Sequence, residues 1–245
     1  MLSQAEKGGV QNTIQNCVTV LQNDPVLADS IRLNLLSERI DIVKPMGWQR
    51  SGPTLTDTDM MYILRRMEKY GLYSEKRVSA AIRIVANENH YHPIRDYLND
   101  LKWDGTERIS HALHRFLGAA EDELTAEALK IFLLGAIKRV FHPGCKFEMM
   151  LCLVGGQGAG KSSFFRLLAI KDEWFSDDLR RLDDDNVFRK LQGHWIMEMS
   201  EMIATANAKS IEEIKSFLSK QKETYKIPYE THPVDRLRQC VFAGT

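Results

Sequence analysis

The sequence predicts an α/β chain in which a mostly helical first half leads into a parallel sheet. Three observations carry that prediction. Early apolar residues recur at helical spacing, as in Val10, Ile14, Cys17, Val18 and Leu21. The short run Met149–Val154 is apolar without alternation, the look of a strand buried on both faces. After it, helical (Ser162–Ala169) and strand-like (Trp195–Met199, Gln239–Ala243) segments alternate, as crossover connections between parallel strands require.

Each element has a local reason. Asp24–Pro53 is mixed, and Met46–Pro53 reads as a loop punctuated by Gly and Pro. Thr56, Asp57 and Asp59 are helix-start residues for a segment carrying Met60, Ile63, Leu64 and Met67. Val78, Ala81, Ile82 and Val85 mark a further helix, broken at Asn89–Pro93. Pro93 suits the first position of the next helix. An Asp-Gly turn follows in Trp103–Arg108, then helices near Arg108–Leu117 and Thr125–Val140. His142–Lys146 is the expected boundary between a helical region, 1–143, and a sheet region, 144–245.

Composition narrows the function classes. Among 245 residues, 44% are apolar and 27% charged, which excludes a disordered chain. Lys plus Arg and Asp plus Glu are both 33, so a strongly basic nucleic-acid-coating protein is excluded while a local basic patch is not. The longest apolar run, Ile131–Ile137, is far short of the about 20 residues of a membrane span, and the start of the chain has no signal-peptide core, so a cytoplasmic protein without membrane contact is expected. The four cysteines lack metal-site spacing, and Cys152 and Cys240 read as small buried hydrophobes. Trp48 and Trp103 read as core or turn packing, and the acidic run around Asp183–Asp185 as a solvated helix start.

The residues Gly155, Gly156, Gln157, Gly158, Ala159, Gly160, Lys161 and Ser162 fit G-x-x-x-x-G-K-[ST]. The glycines let the backbone curl so that successive N–H groups converge on phosphate oxygens, aided by the helix start that includes Ser163. Lys161 supplies a point charge to the β- and γ-phosphates, and Ser162 a hydroxyl to Mg²⁺. Such a loop needs a carboxylate at the end of a neighbouring strand, and the segment around Trp195–Met199 offers Glu198 and Glu201. An acid inside an apolar strand is costly unless it has a task. One glutamate serves the metal and the other the attacking water; Glu198 on the metal and Glu201 on the water is the preferred division, with the reverse open. Thr245, after a third apolar strand, would stand beside the γ-phosphate at the carboxyl edge of the sheet.

Lysines crowd Lys215–Lys226, and Thr224, Tyr225, Ile227 and Tyr229 alternate with polar residues, the pattern of a hairpin or extended loop. Its cations would meet phosphates and its tyrosines could stack on bases; the alternative is a solvated face, because glutamates interleave with the lysines.

His92–Ile109, His142–Ala169, His194–Met202, Ser216–Glu230 and Arg238–Thr245 together resemble the virulence-associated protein E family of phage- and prophage-encoded P-loop ATPases. The resemblance implies an AAA+/superfamily 3 helicase-like P-loop NTPase sheet, with ATP and Mg²⁺ as cofactors and Lys161, Glu198 and Glu201 as the catalytic residues. It also implies single-stranded DNA as a partner, met by Lys220, Lys222, Tyr225, Lys226 and Arg238, a homo-oligomeric ring completed by an arginine (Arg236 or Arg238), and a primase partner or fused domain. The Glu223–Tyr229 block has Glu and Lys where the family has Asp and Arg. The family continues past Gly-Thr to a sensing Asn, so the sheet is expected to be incomplete at Thr245 and the chain to be a fragment. A P-loop small-molecule kinase and a non-catalytic nucleotide- or DNA-binding module are the competing readings.

Overall fold

Capping chemistry sets where the helices begin. Thr56 and Asp59 form a reciprocal capping box at the start of one helix, and Thr13 and Asp122 each accept a backbone N–H at the start of two others. The structure, a computed structural model, describes residues 2–4, 9–179, 182, 187–200, 208–225 and 234–245. The chain divides into two compact units, Met1–Asp96 and Tyr97–Thr245.

The first unit contains α1 (Ile14–Asn23), the antiparallel strands β1 (Ile31–Asn34) and β2 (Arg39–Ile42), α2 (Asp57–Met67) and α3 (Glu75–Glu88). Their apolar faces meet in one core that includes Cys17, Leu21, Ile31, Ile63, Met67, Val78 and Ile82. The β1–β2 hairpin occupies the stretch that the sequence left as mixed. Trp48, as expected, packs in a turn: its ring stacks on Tyr62 with centroids 4.9 Å apart. A helix α4 (Pro93–Asp100) starts at Pro93 and carries the chain across the division.

The second unit holds α5 (Ile109–Leu117), α6 (Glu123–Phe141), β3 (Met150–Cys152), α7 (Lys161–Leu168), β4 (Phe175–Ser176), α8 (Val187–Leu191), β5 (Ile196–Met199), α9 (Ala208–Ser219), β6 (Lys222–Tyr225), β7 (Val234–Leu237) and β8 (Val241–Gly244). Four strands make a parallel sheet in the order β3-β8-β5-β4, so the chain is mixed α/β with a parallel sheet in its second part. β6 and β7 pair as a separate antiparallel hairpin, the form expected for the lysine-rich segment.

The expected 143/144 division falls inside the second compact unit, whose helical and sheet parts are joined. The reason is that α6 is tied into the sheet: the Arg139 guanidinium donates to the carbonyls of Cys240 and Phe147, both at 2.8 Å, and Trp195 Nε1 donates to Ala136 O at 3.0 Å. One expectation is corrected: β3 is not buried on both faces, for among the described residues it pairs with β8 alone, and Cys152 and Val154 are exposed. Cys240 is buried as expected. Trp103 stands in a turn but points into solvent. No helix among the described residues is long and apolar enough to cross a membrane.

Candidate functional site

Sheet order builds the site. β8 lies between β3 and β5, so the three strand ends bring together the loop after β3, Thr245 after β8 and Glu198 on β5. This is the carboxyl edge, where open parallel sheets bind ligands.

The loop has the curl its glycines predict. Gly158 and Gly160 adopt φ of 80° and 81°, which only glycine takes without strain. Gly160 is the N-cap of α7 and offers no side chain, so no side-chain cap accepts from the first amides of that helix. Those amides can hold an anion. Leu117, at the end of α5, flanks the loop: a Cβ on Gly160 would lie 3.9 Å from its Cδ2. Lys161 Nζ folds back on the loop and donates to Gly155 O at 2.9 Å and Gly156 O at 2.8 Å.

Glu198 is 0% exposed. Its Oε1 accepts from Ser162 Oγ at 2.7 Å and from Thr245 Oγ1 at 2.6 Å. Its Oε2 is buried with no hydrogen-bond partner among the described residues. A carboxylate in this position, with no cation paired to it among the described residues, carries an uncompensated cost. The donor set fits a divalent cation: an anionic oxygen in need of a partner beside a serine hydroxyl, both hard ligands.

Lys161, Ser162, Glu198 and Thr245 are thus brought together, along with the backbone of Gly155–Gly160. Glu201 and Lys226 lie outside the described residues. The remaining nucleic-acid candidates separate. Lys220 is exposed, with its ammonium 5.7 Å from the Phe188 and Phe217 ring centres. Lys222 is exposed and pairs across the hairpin with Asp235. Tyr225 closes β6. Arg238 is 3% exposed, so the expectation that it meets nucleic acid or reaches into a neighbouring site is corrected: its guanidinium is consumed by Glu223 and Phe217 O. Sequence reasoning missed Arg139, which ties the segments leading into β3 and β8 to α6. Its signal was present: in Ile131–Val140 it falls on the same helical face as Phe132 and Ala136.

Fold and site together define a mixed α/β protein with a glycine-rich loop and a buried acid at the carboxyl edge of a parallel sheet. A family profile for the virulence-associated protein E-like domain matches residues 98–245, and the chain belongs to that family. Among solved structures, the A-form apo structure of the NrS-1 C-terminal region is similar, with a TM-score of 0.51 at 14% identity over 96% of this chain and 56% of that one. A second A-form apo structure of the same region gives 0.48 at 14% identity over 87% and 53%. The chain therefore spans about half the length of these solved chains. Likeness at this identity bears on the fold alone. No curated protein matches the chain.

Proposed function

We propose that this chain carries a P-loop NTPase module that binds and hydrolyses ATP with Mg²⁺ and serves a helicase-like motor on single-stranded DNA in phage or mobile-element replication. The observation that carries the reading is the convergence of Ser162 and Thr245 on buried Glu198 beside the loop. Membership of the virulence-associated protein E-like family supports it.

Magnesium ATP, when bound, supplies the electrophilic phosphorus and the cation that offsets charge on the transferring group. The chain's own groups do the rest. Lys161 leaves the carbonyls of Gly155 and Gly156 and presents its ammonium to phosphate. The uncapped amides of α7 donate to phosphate oxygens. Ser162, whose hydroxyl donates to Glu198, and Glu198 itself are the residues that would hold the cation. Whichever of Glu198 and Glu201 does not serve the metal would orient the attacking water. Thr245 keeps the acid in place. Lys220, Lys222, Tyr225 and Lys226 make the DNA contacts, and neighbouring subunits in a ring complete the site.

The test is ATP hydrolysis with and without single-stranded DNA by wild type and Lys161→Ala. DNA-stimulated turnover that the variant loses supports the motor; turnover indifferent to every single strand refutes the DNA part. A second reading, nucleotide binding without turnover, is favoured by the two hydroxyls that occupy the same oxygen of Glu198. Binding with no phosphate release would select it.

A further inference from the structure

Arg238 ties the β6–β7 hairpin to the parallel sheet. It follows β7, and its backbone already joins two segments: its N donates to Gln221 O and its O accepts from Gly144 N, both at 2.9 Å. Its guanidinium reaches further, donating to Glu223 on β6 and to Phe217 O in the last turn of α9. The same group lies 4.4 Å from the Phe217 ring centre and 5.2 Å from that of Phe242. Phe242 stands on β8 opposite Met150 of β3 and Met197 of β5. Thr245 follows three residues later, and Glu198 is next to Met197. A short run of packed groups therefore leads from the hairpin to the two residues that meet beside the loop.

Stability does not account for the ion pair. The side chains of Arg238 and Glu223 are 1% and 9% exposed, whereas Lys222 and Asp235, paired across the same hairpin, are 56% and 49% exposed. Taking two charges out of water offsets most of their attraction, and apolar residues of like volume would hold the hairpin as well. What the pair adds is a directional link between two segments, because a buried guanidinium must follow its carboxylate.

We propose that Glu223 and Arg238 are positioning residues that couple the β6–β7 hairpin to the nucleotide site through Phe242 and the end of β8. When the hairpin shifts on a bound strand, Glu223 carries the guanidinium with it, Arg238 moves against the Phe242 ring, and β8 resets Thr245 against Glu198. This inference rests on the nucleotide and DNA reading above and adds the residues that transmit between the two sites. A coupling free energy is reciprocal, so DNA changes ATP affinity by the factor by which ATP changes DNA affinity.

Calorimetric titration of the full chain tests it, using Mg²⁺ and a non-hydrolysable ATP analogue with and without saturating poly-dT. In the wild type poly-dT shifts analogue affinity at least about 5-fold, and the reverse titration returns the same factor. Glu223→Gln leaves the affinity for each ligand alone within about 3-fold of wild type and cuts the factor to below about 2-fold. Glu223→Leu with Arg238→Met replaces the pair by apolar residues; it keeps the fold by circular dichroism and loses the factor as well. A wild type that fails to bind the analogue or poly-dT would take the underlying reading down together with the inference. A wild type that binds both with no mutual effect, or a folded double variant that keeps the full factor, would overturn the inference and leave that reading standing.

Discussion

Asp24 and Asp59 in the first unit and Glu198 in the second are buried carboxylates treated in opposite ways. Each unit also holds an acid of the other kind, Asp41 with both donors on one oxygen and Glu223 paired to Arg238. In the first unit Asp59 accepts from Arg50 Nε at 2.8 Å, Trp48 Nε1 at 2.7 Å, Thr56 N at 2.9 Å and Thr56 Oγ1 at 2.8 Å. Asp24 accepts from Arg66, from Tyr70 Oη at 2.6 Å, and from the amides of Val26 and Leu27. For both, burial pulls the pKa up, but the hydrogen bonds outweigh it and hold the carboxyl below the ordinary range. Among the described residues, Glu198 in the second unit has no arginine, two hydroxyls on one oxygen and nothing on the other. The first pair is saturated and serves stability; the third acid, like Asp41, is short of partners, and what sets it apart is its place beside the glycine-rich loop.

Substitutions can break that contrast. Glu198→Gln keeps the shape and removes the charge. It should cut ATP turnover by about 1000-fold, the scale of losing a preorganised electrostatic group. Its urea midpoint should be equal to or above wild type, because a buried uncompensated charge has been removed. Asp59→Ala should do the reverse. It leaves Arg50 and Trp48 without their acceptor and should cost about 3 kcal/mol of unfolding free energy, with nucleotide binding intact. Equal destabilisation by both changes would erase the distinction.

Acid sharpens it further. Asp24 and Asp59 have folded pKa values below their unfolded ones, so their stabilisation is complete above the ordinary carboxylate pKa of about 4 and is lost as pH falls through the folded values. Denaturant midpoints followed from neutral pH downward should drop below about pH 4, and the drop should be shallower in Asp59→Ala. The smallest effect expected is that of Thr245→Val. It removes one of two donors to Glu198 and should change stability by about 1 kcal/mol at most while lowering turnover by about 10-fold.

Local chemistry was legible in the sequence and long-range pairing was not. The loop needs only eight consecutive residues with glycine where the backbone must curl, so Gly158, Gly160, Lys161 and Ser162 were visible at once. Glu198 stood out because an acid interrupts an apolar strand. The Thr56 capping box likewise depends on neighbours three residues apart. Arg139 and Arg238 were misjudged for one reason: a buried cation is defined by acceptors that arrive from elsewhere. Arg139 finds Cys240 O only once β8 is in place, and Arg238 finds Glu223 only once the β6–β7 hairpin has set its register. β3 was overrated because an apolar run does not tell an edge strand from a central one.

The central claim is that the loop and the short-handed acid form one site for a magnesium-bound triphosphate. Calorimetric titration of the full chain with ATP and Mg²⁺, beside Lys161→Ala, tests it most directly. The account predicts saturable binding by wild type, weakened at least about 100-fold in the variant, the loss of one charge-assisted phosphate contact or more. Absence of heat in the wild type, or equal affinity in the two, would contradict it.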